Sequence, residues 1–354
     1  METSTNVATD FIGHRRTRSV TKETTKTDPD AIARSVEDEP MQLRVWGTER
    51  TYPLPPRSTR EFLIGASPDC WIRLRDQECY VSRTHAALEL VDAAWRIVDK
   101  DSKNGVRVDG VRADRATLAG GTEIGLGRIT LVVETPRTMR VRALLARLLG
   151  WDESRRVIVD RALRVARAFA AGTMPMVLVG HDDLPVIARM IHVAARGETR
   201  SFEVIEDEEA PRLAITQQTD GTLCVRRPTP NQAHLTLSEP NHVITCASES
   251  DQSTAIRIPP IADRPDVEAE RLVLEYAIDA LVELNAKGDC FPPVDHDWVI
   301  AHVPATHGDL QTVTRRLVAI RALGGITAAA DYLQISPSAL SRWYSRRMRR
   351  RWRS

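Results

Sequence analysis

The sequence predicts a multidomain chain: an all-β sandwich, then an α/β domain, then a helical C-terminal region. Three observations predict it. Short alternating apolar segments crowd residues 41–135, separated by Asp, Gly and Ser turns. Apolar residues then recur at three- and four-residue steps, interrupted by a few short apolar strands. From "RPDVEAERLVLEYAIDALVEL" to the end the helical period dominates.

Residues 1–40 are polar and Thr-rich, and "TKETTKTDPD" offers nothing to bury. That composition reads as a disordered tail. The sandwich strands follow as "LRVW", "REFLIG", "CWIRL", "HAALEL", "AWRIVD", "GVRVDG" and "RITLVVE". An α/β region over 136–261 opens with the amphipathic runs "MRVRALLARLLG" and "DRALRVARAFA" and later carries "TLCV" and "HVITCA" as strands. Residues 262–310 form a helical segment, and 311–354 a terminal helical unit with an Arg-rich tail.

Bulk properties exclude several classes. With 354 residues and 42% hydrophobic content, the chain builds more than one core. A net charge of +1 says nothing about partners, so local charge must. Five Cys, at 70, 79, 224, 246 and 290, have no paired metal-ligand spacing and no disulfide framework. They read as reduced, mostly buried thiols of a cytoplasmic protein. No apolar run approaches the roughly 18 residues that span a bilayer, so no membrane partner is expected. The N-terminus lacks the order of a secretory signal.

Within the sandwich stand "IGASPDCWI", "VSRTHAALEL" and "DKDSKNGVRVDG", in that order. The set resembles a forkhead-associated (FHA) domain, whose pattern is Gly-Arg, Ser-x-x-His, Ser-x-Asn-Gly and Asn-Gly. The resemblance implies a phosphothreonine site in which Ser82 grips phosphate, Asn104 holds the peptide backbone and buried His85 braces the loop. The chain departs from the pattern at Ala66, which stands where the family carries Arg. A guanidinium offers forked, charge-assisted bonds to phosphate and Ala offers none. Arg83, Lys103, Arg73 and Arg75 lie near the same loops as possible replacements, and Arg83 and Lys103 join Ser82 and Asn104 as the expected phosphopeptide-binding residues. A sandwich kept for folding or protein contact is the alternative. Acids three positions after Thr25 and Thr27, at Asp28 and Asp30, make the phosphorylated tail itself a candidate ligand.

"VLVGHDDLPVIARMIHVAARG", Val177 to Gly197, is an apolar strand, a glycine and a helix, the layout of a nucleotide phosphate loop. The chemistry is missing. Counting from Gly180, the second Gly falls on Pro185, the Lys on Val186 and the hydroxyl residue on Ile187. Pro185 has no N–H for a phosphate, and Val186 carries no charge. His181, Asp182 and Asp183 read as an exposed turn. The surroundings resemble the AAA+ domain of sigma-54 enhancer-binding proteins. "DGTLCVRR" is similar to their second strand but ends in Arg226 and Arg227 where the family places Asp-Glu, and two cations do not hold Mg²⁺. Ser248 replaces the sensing Asn in "HVITCAS", and Gln311 the sensing Arg in "HGDLQTVTRRL". "IRIPPIADRPDVEAE" resembles the linker into the helical lid. No sigma-contacting loop is found. The resemblance implies a degenerate AAA+-like domain without ATP hydrolysis, with no cofactor and no metal.

In "RRLVAIRALGGITAAADYLQISPSALSRWYSRRMRRRWRS", Leu317, Ile320 and Leu323 share a helical face that Gly324–Gly325 ends. Ile326–Leu333 makes a short second helix, Gln334–Ile335 a turn, and Ser336 with Pro337 starts the next helix. Leu340 and Trp343 face inward. This spacing resembles the Fis-type helix-turn-helix of the same enhancer-binding proteins, although that family usually has Gly at position 334. The resemblance implies double-stranded DNA as partner. Ser338, Ser341 and Arg342 would face bases, and Tyr344, Arg346 and Arg347 backbone phosphate. A homodimer is expected, because one short motif gives limited area.

The function these features imply is a non-enzymatic, FHA-containing transcriptional regulator that responds to a phosphothreonine protein or its own phosphorylated tail. The alternative is a phosphothreonine-binding adaptor that does not bind DNA specifically.

Overall fold

A computed structural model describes residues 36–58, 60–181, 183–205, 221–226, 242–302 and 306–350, with the side chains of the last helix through Arg346. The predicted tail through residue 35, Asp182, Arg227 and the side chain of Arg347 lie outside the described residues. At the tail's far end the structure differs from the expectation. Glu37 pairs with Arg140 and Arg137, Asp38 with Arg137, and Glu39 with Arg57. Charge pairing anchors what composition alone marked as unfolded.

The sandwich has eleven strands. One sheet has the order β2-β1-β11-β10-β7-β8, built from β1 (Gln42–Val45), β2 (Thr51–Pro53), β7 (Val106–Val108), β8 (Val111–Arg112), β10 (Glu123–Leu126) and β11 (Ile129–Glu134). The other has the order β4-β3-β5-β6-β9, from β3 (Phe62–Gly65), β4 (Ile72–Arg73), β5 (Ala86–Val91), β6 (Ala94–Asp99) and β9 (Arg115–Thr117). Inward residues of both sheets meet in one core, including Leu43, Ile64, Leu88, Ile97, Ile124 and Leu131, all sealed from solvent. Alternation explains the long strands. It fails for β2, β8 and β9, which are two or three residues long and set by pairing with their neighbours.

A five-stranded parallel sheet follows, ordered β13-β14-β15-β12-β16. Its strands are β12 (Met176–Val179), β13 (Phe202–Ile205), β14 (Thr222–Arg226), β15 (His242–Ala247) and β16 (Ile256–Arg257). Helices α1 (Pro136–Leu149), α2 (Arg156–Ala170) and α3 (Leu184–Arg196) share its core through Leu145, Phe169 and Ile187. Thr135 caps α1 in a reciprocal box with Thr138. β12 is buried throughout, as a strand covered on both faces must be.

Ion pairs join sandwich to helices. Arg44 of β1, 1% exposed, donates to Glu134 at 2.6 Å and to Asp160 of α2 at 2.6 and 3.0 Å. Asp160 also accepts the Gly47 N–H at 2.7 Å. Beside it, Arg164 forks onto Glu123 at 2.7 Å twice, and Arg167 onto Asp109 at 2.8 and 3.0 Å. Burial pushes the Asp109 carboxyl up, but its bonds to Arg167 and to backbone outweigh this and hold it below its ordinary range.

The C-terminal helices are α4 (Asp266–Glu283), α5 (Pro293–His302), α6 (His307–Ala322), α7 (Ile326–Tyr332) and α8 (Pro337–Arg350). Leu272, Tyr276, Val299, Leu317 and Val318 form their main core. The expected boundary between residues 310 and 311 falls inside α6, which is continuous. Thr306 caps it by accepting the Asp309 N–H at 3.0 Å, and no breaker intervenes before Gly324. Among the described residues, no helix is long and apolar enough to cross a membrane, and no group of three or more His, Cys, Asp or Glu is placed to hold a metal.

Candidate functional site

Three loops of the sandwich converge at one end. The strand β3 ends at Gly65, and a Cβ there would lie 2.2 Å from the carbonyl oxygen of Arg83. Only glycine permits that approach. It lets the Ala66 N–H donate to Ser82 O and the Ser67 N–H to Arg83 O, both at 3.0 Å. The loop bearing Ser82 and Arg83 is thereby stitched to the one bearing Ala66.

His85, fully buried, ties in the third loop. Its Nδ1 accepts the Ser82 N–H at 3.0 Å, so its proton sits on Nε2, which donates to Gly105 O at 3.2 Å. The Lys103 N–H donates to Ser82 Oγ at 3.1 Å. Asn104 Nδ2 donates to Tyr80 O at 2.8 Å. All four sandwich residues expected from sequence, Ser82, Arg83, Lys103 and Asn104, thus belong to loops bonded to one another. Arg83, Lys103 and Asn104 are exposed and Ser82 is half-buried. Neither Arg83 nor Lys103 makes an ion pair among the described residues, so two cations face solvent beside a serine hydroxyl. Arg73 and Arg75 are exposed nearby in sequence, and Ala66 contributes no polar group.

Sequence reasoning missed two neighbours. The Tyr80 ring lies under the Arg128 guanidinium at 4.3 Å, with Arg128 also bonded to Glu78. Arg112 lies across Gly105, where a Cβ would come within 2.8 Å of its Nε. Both are brought in by strand register rather than by any local motif.

At the other end of the chain, Gly324 and Gly325 adopt positive φ and turn α6 into α7. Gln334 follows α7 in the left-handed region, φ 54°, and its side chain donates to Asp331 O at 2.8 Å. This is where glycine serves most easily. Ser336 Oγ accepts the Ala339 N–H at 3.2 Å and opens α8. Leu340 is sealed against Ala319, Ala329 and Ala330. Ser338, Arg342 and Arg346 are exposed and Ser341 is half-buried. Tyr344 is placed differently from its neighbours: with Trp343 it lies half-buried against the helical core. Arg347 is on α8. Arg315 forks onto Glu283 at 3.0 and 3.1 Å, Tyr332 donates to Glu283 at 2.7 Å, and Arg321 forks onto Asp295 at 2.6 and 3.0 Å. These bonds hold α6 and α7 to α4 and α5.

Between the two ends, the loop after β12 is closed rather than cradle-like. The Gly180 N–H is taken by Ala247 O at 3.2 Å, and a Cβ on Gly180 would meet Ile258 O at 3.0 Å. His181 and Asp183 are exposed. The start of α6 approaches this loop, with the Cβ position of Gly308 3.5 Å from Asp183 Oδ2.

Comparison with known proteins bears on the sandwich. Similar solved structures include the Slr1951 protein from Synechocystis sp., 30% identical over 27% of this chain and 96% of that one, with a TM-score of 0.24. Another is the FHA domain of the CT664 protein from Chlamydia trachomatis, 27% identical over 27% and 97% of the two chains, TM-score 0.24. A third is Mycobacterium tuberculosis EmbR in complex with a low affinity phosphopeptide, 28% identical over 27% and 24%, TM-score 0.25. No curated protein matches the chain. Residues 62–127 match the FHA domain family, a family of non-catalytic phosphopeptide-binding modules. The chain therefore carries an FHA domain, and no enzymatic role follows from it.

Proposed function

We propose that this protein is a phosphothreonine-recognition adaptor whose sandwich engages a phosphorylated partner through the loops at Ser82 and Asn104. The observation that carries the proposal is the bonded set Gly65–Ser82–His85–Gly105, which brings a hydroxyl, an amide and two exposed cations, neither in an ion pair among the described residues, to one end of an FHA sandwich. Ser82 and Arg83 receive the phosphate with Lys103, and Asn104 holds the peptide backbone. The partner is a phosphothreonine protein or the chain's own phosphorylated tail. With Ala66 in place of Arg, affinity falls below that of a complete site by about 1.5–3 kcal/mol, roughly tenfold or more.

The test is fluorescence anisotropy of phosphothreonine peptides, the 20–34 segment included. Binding should require the phosphate and should drop more than about tenfold in Ser82→Ala and Asn104→Ala. Equal binding of phosphorylated and unphosphorylated peptides would remove the proposal.

A second reading is favoured by the arrangement of α6, α7 and α8. Two helices joined by a four-residue turn, with Ser338, Arg342 and Arg346 exposed on the second, fit a Fis-type helix-turn-helix. In that reading the protein is a DNA-binding regulator, active as a homodimer, and the middle is a degenerate AAA+-like domain that transmits or assembles without hydrolysing ATP. The parallel sheet supports it, since β12 and its closing loop sit inside the sheet where the strand order switches. Selection of DNA by the full chain and by its Ser338→Ala/Arg342→Ala variant, changed only at exposed positions of α8, separates the readings. Enrichment of a two-fold symmetric site, lost in the variant, makes the protein a regulator. Salt-labile binding without enrichment leaves the adaptor.

A further inference from the structure

Helix α4 is apolar on two sides. Leu272, Val273, Tyr276, Ala277 and Ala280 are buried in the helical core. Val267, Leu274, Ile278 and Val282 follow one another at steps of seven, four and four residues, which sets them together on the opposite side. They are 77%, 47%, 54% and 75% exposed. Four large aliphatic side chains in one stripe, over about 22 Å of helix, exceed the scattered apolar residues of an ordinary surface. Arg271 starts within the stripe but is drawn aside, its guanidinium 4.2 Å over the Trp151 ring and 3.5 Å from Glu275.

Acids border the stripe. α4 holds six of them and one cation. Arg264 lies 3.9 Å from Glu268, Arg147 reaches Glu275 at 3.2 Å and also Asp279, and Arg315 holds Glu283. Asp266 and Glu270 are exposed and make no ion pair among the described residues. A second copy laid antiparallel, stripe on stripe, would set Glu270 of each beside Asp279 of the other. A parallel copy would set every acid beside its own equivalent. Like charges across an interface work against both. The occupant that fits is an apolar segment with cations and no acid.

One segment of this chain has that character. "FIGHRRTRSVTK", Phe11–Lys22, sets Arg15, Arg16, Arg18 and Lys22 among Phe11, Ile12 and Val20, with no Asp or Glu. The other long segments outside the described residues lack it: 206–220 is acidic, and 227–241 carries one Arg and one Glu. The point where the N-terminal segment joins the described chain is also close. Glu37 pairs with Arg140 of α1 at 2.9 Å, and Arg147, about 10 Å further along α1, is the residue that reaches Glu275. Residues 23–35 extend to about 45 Å, enough to bring Phe11–Lys22 to either end of the stripe. We propose that residues 11–22 dock along this outer face of α4, with Phe11, Ile12 and Val20 on the stripe and the cations against its acids. The docking does not depend on the phosphothreonine reading.

The experiment is photo-crosslinking of the full chain with Ile278 replaced by benzoylphenylalanine, read by mass spectrometry after digestion. The crosslinks should join α4 to residues 11–22 within one chain. In Arg15→Glu/Arg16→Glu/Arg18→Glu the yield should fall at least about threefold, the scale of several exposed ion pairs lost together. Salt at about 1 M, which shortens screening to about 3 Å, should lower it in the same direction. Circular dichroism should match between the two chains, because these substitutions touch no described contact. Crosslinks that join two copies, or none to residues 11–22, overturn the proposal. So does a yield that the three charge reversals leave unchanged. Phosphothreonine peptides that fail to bind the sandwich would remove the reading above and leave this docking standing.

Discussion

Asp160→Ala is the sharpest perturbation of this fold. Asp160 is 1% exposed and accepts three hydrogen bonds, two from Arg44 at 2.6 and 3.0 Å and one from the Gly47 N–H at 2.7 Å. Removing it leaves the Arg44 guanidinium, equally buried, with Glu134 as its one acidic partner at hydrogen-bond distance. A buried charge stripped of a partner costs about 3–5 kcal/mol. Two or three lost charge-assisted bonds, at about 1.5 kcal/mol each, give the same scale. Replacing the whole group is a different experiment. Arg44→Met with Glu134→Gln and Asp160→Ala removes all three charges of the group and leaves the neighbouring Arg142 on Glu49, and apolar replacement of a buried ion pair is often neutral. The triple variant should therefore recover much of the loss. Urea unfolding of the full chain, followed by circular dichroism, reads both. An Asp160→Ala cost under about 1 kcal/mol, or a triple variant worse than the single, would refute the view that desolvation of Arg44 is what Asp160 offsets.

Two other outcomes follow from single contacts. Gly65→Ala places a methyl 2.2 Å from a backbone carbonyl that cannot move alone. It should break the two 3.0 Å bonds from Ala66 and Ser67, costing about 2 kcal/mol in thermal unfolding, and abolish phosphopeptide binding; an unchanged midpoint would contradict the close approach. His307 is buried against Tyr276, whose hydroxyl lies 2.8 Å from Nδ1. Burial first, then the charges of Arg264 and Arg147, depress its pKa to about 3. The unfolded chain takes that proton below about pH 6.5 and the folded chain does not, so acidification from there towards pH 3 should lower stability by up to about 1.4 kcal/mol per unit. His307→Gln should flatten that slope, and a slope equal to the wild type's would assign the loss to other groups.

The sandwich was legible because its strands alternate and its loop residues come in a fixed order. "AWRIVD" coincides with β6, and the order of Ser82, His85 and Asn104 between apolar segments places all three on loops. The strands that escaped notice lack a periodic signal: β9 is three residues, and β10 contains only Ile124 and Leu126 as inward apolar groups. The phosphate-loop comparison predicted a strand, a glycine and a helix, which are present as β12, Gly180 and α3. It could not predict that Ile258 closes on Gly180, since that contact joins residues far apart in the chain.

Charged residues were the hardest to read, because a cation's surroundings are decided by strand register and by distant acids. In "LRVW", Arg44 has the look of an outward-facing strand residue, yet it is buried, and the acid that lets it be so stands 116 positions later. Arg164 and Arg167 occupy what the helical period marks as the solvated side of α2, and both instead hold the sandwich. Arg107 and Arg112 show the converse: both are exposed, and neither makes an ion pair among the described residues. No local pattern in the sequence separates them from Arg164 and Arg167, because the acids that decide the difference, Glu123 and Asp109, are brought to α2 by the pairing of β7 with β10.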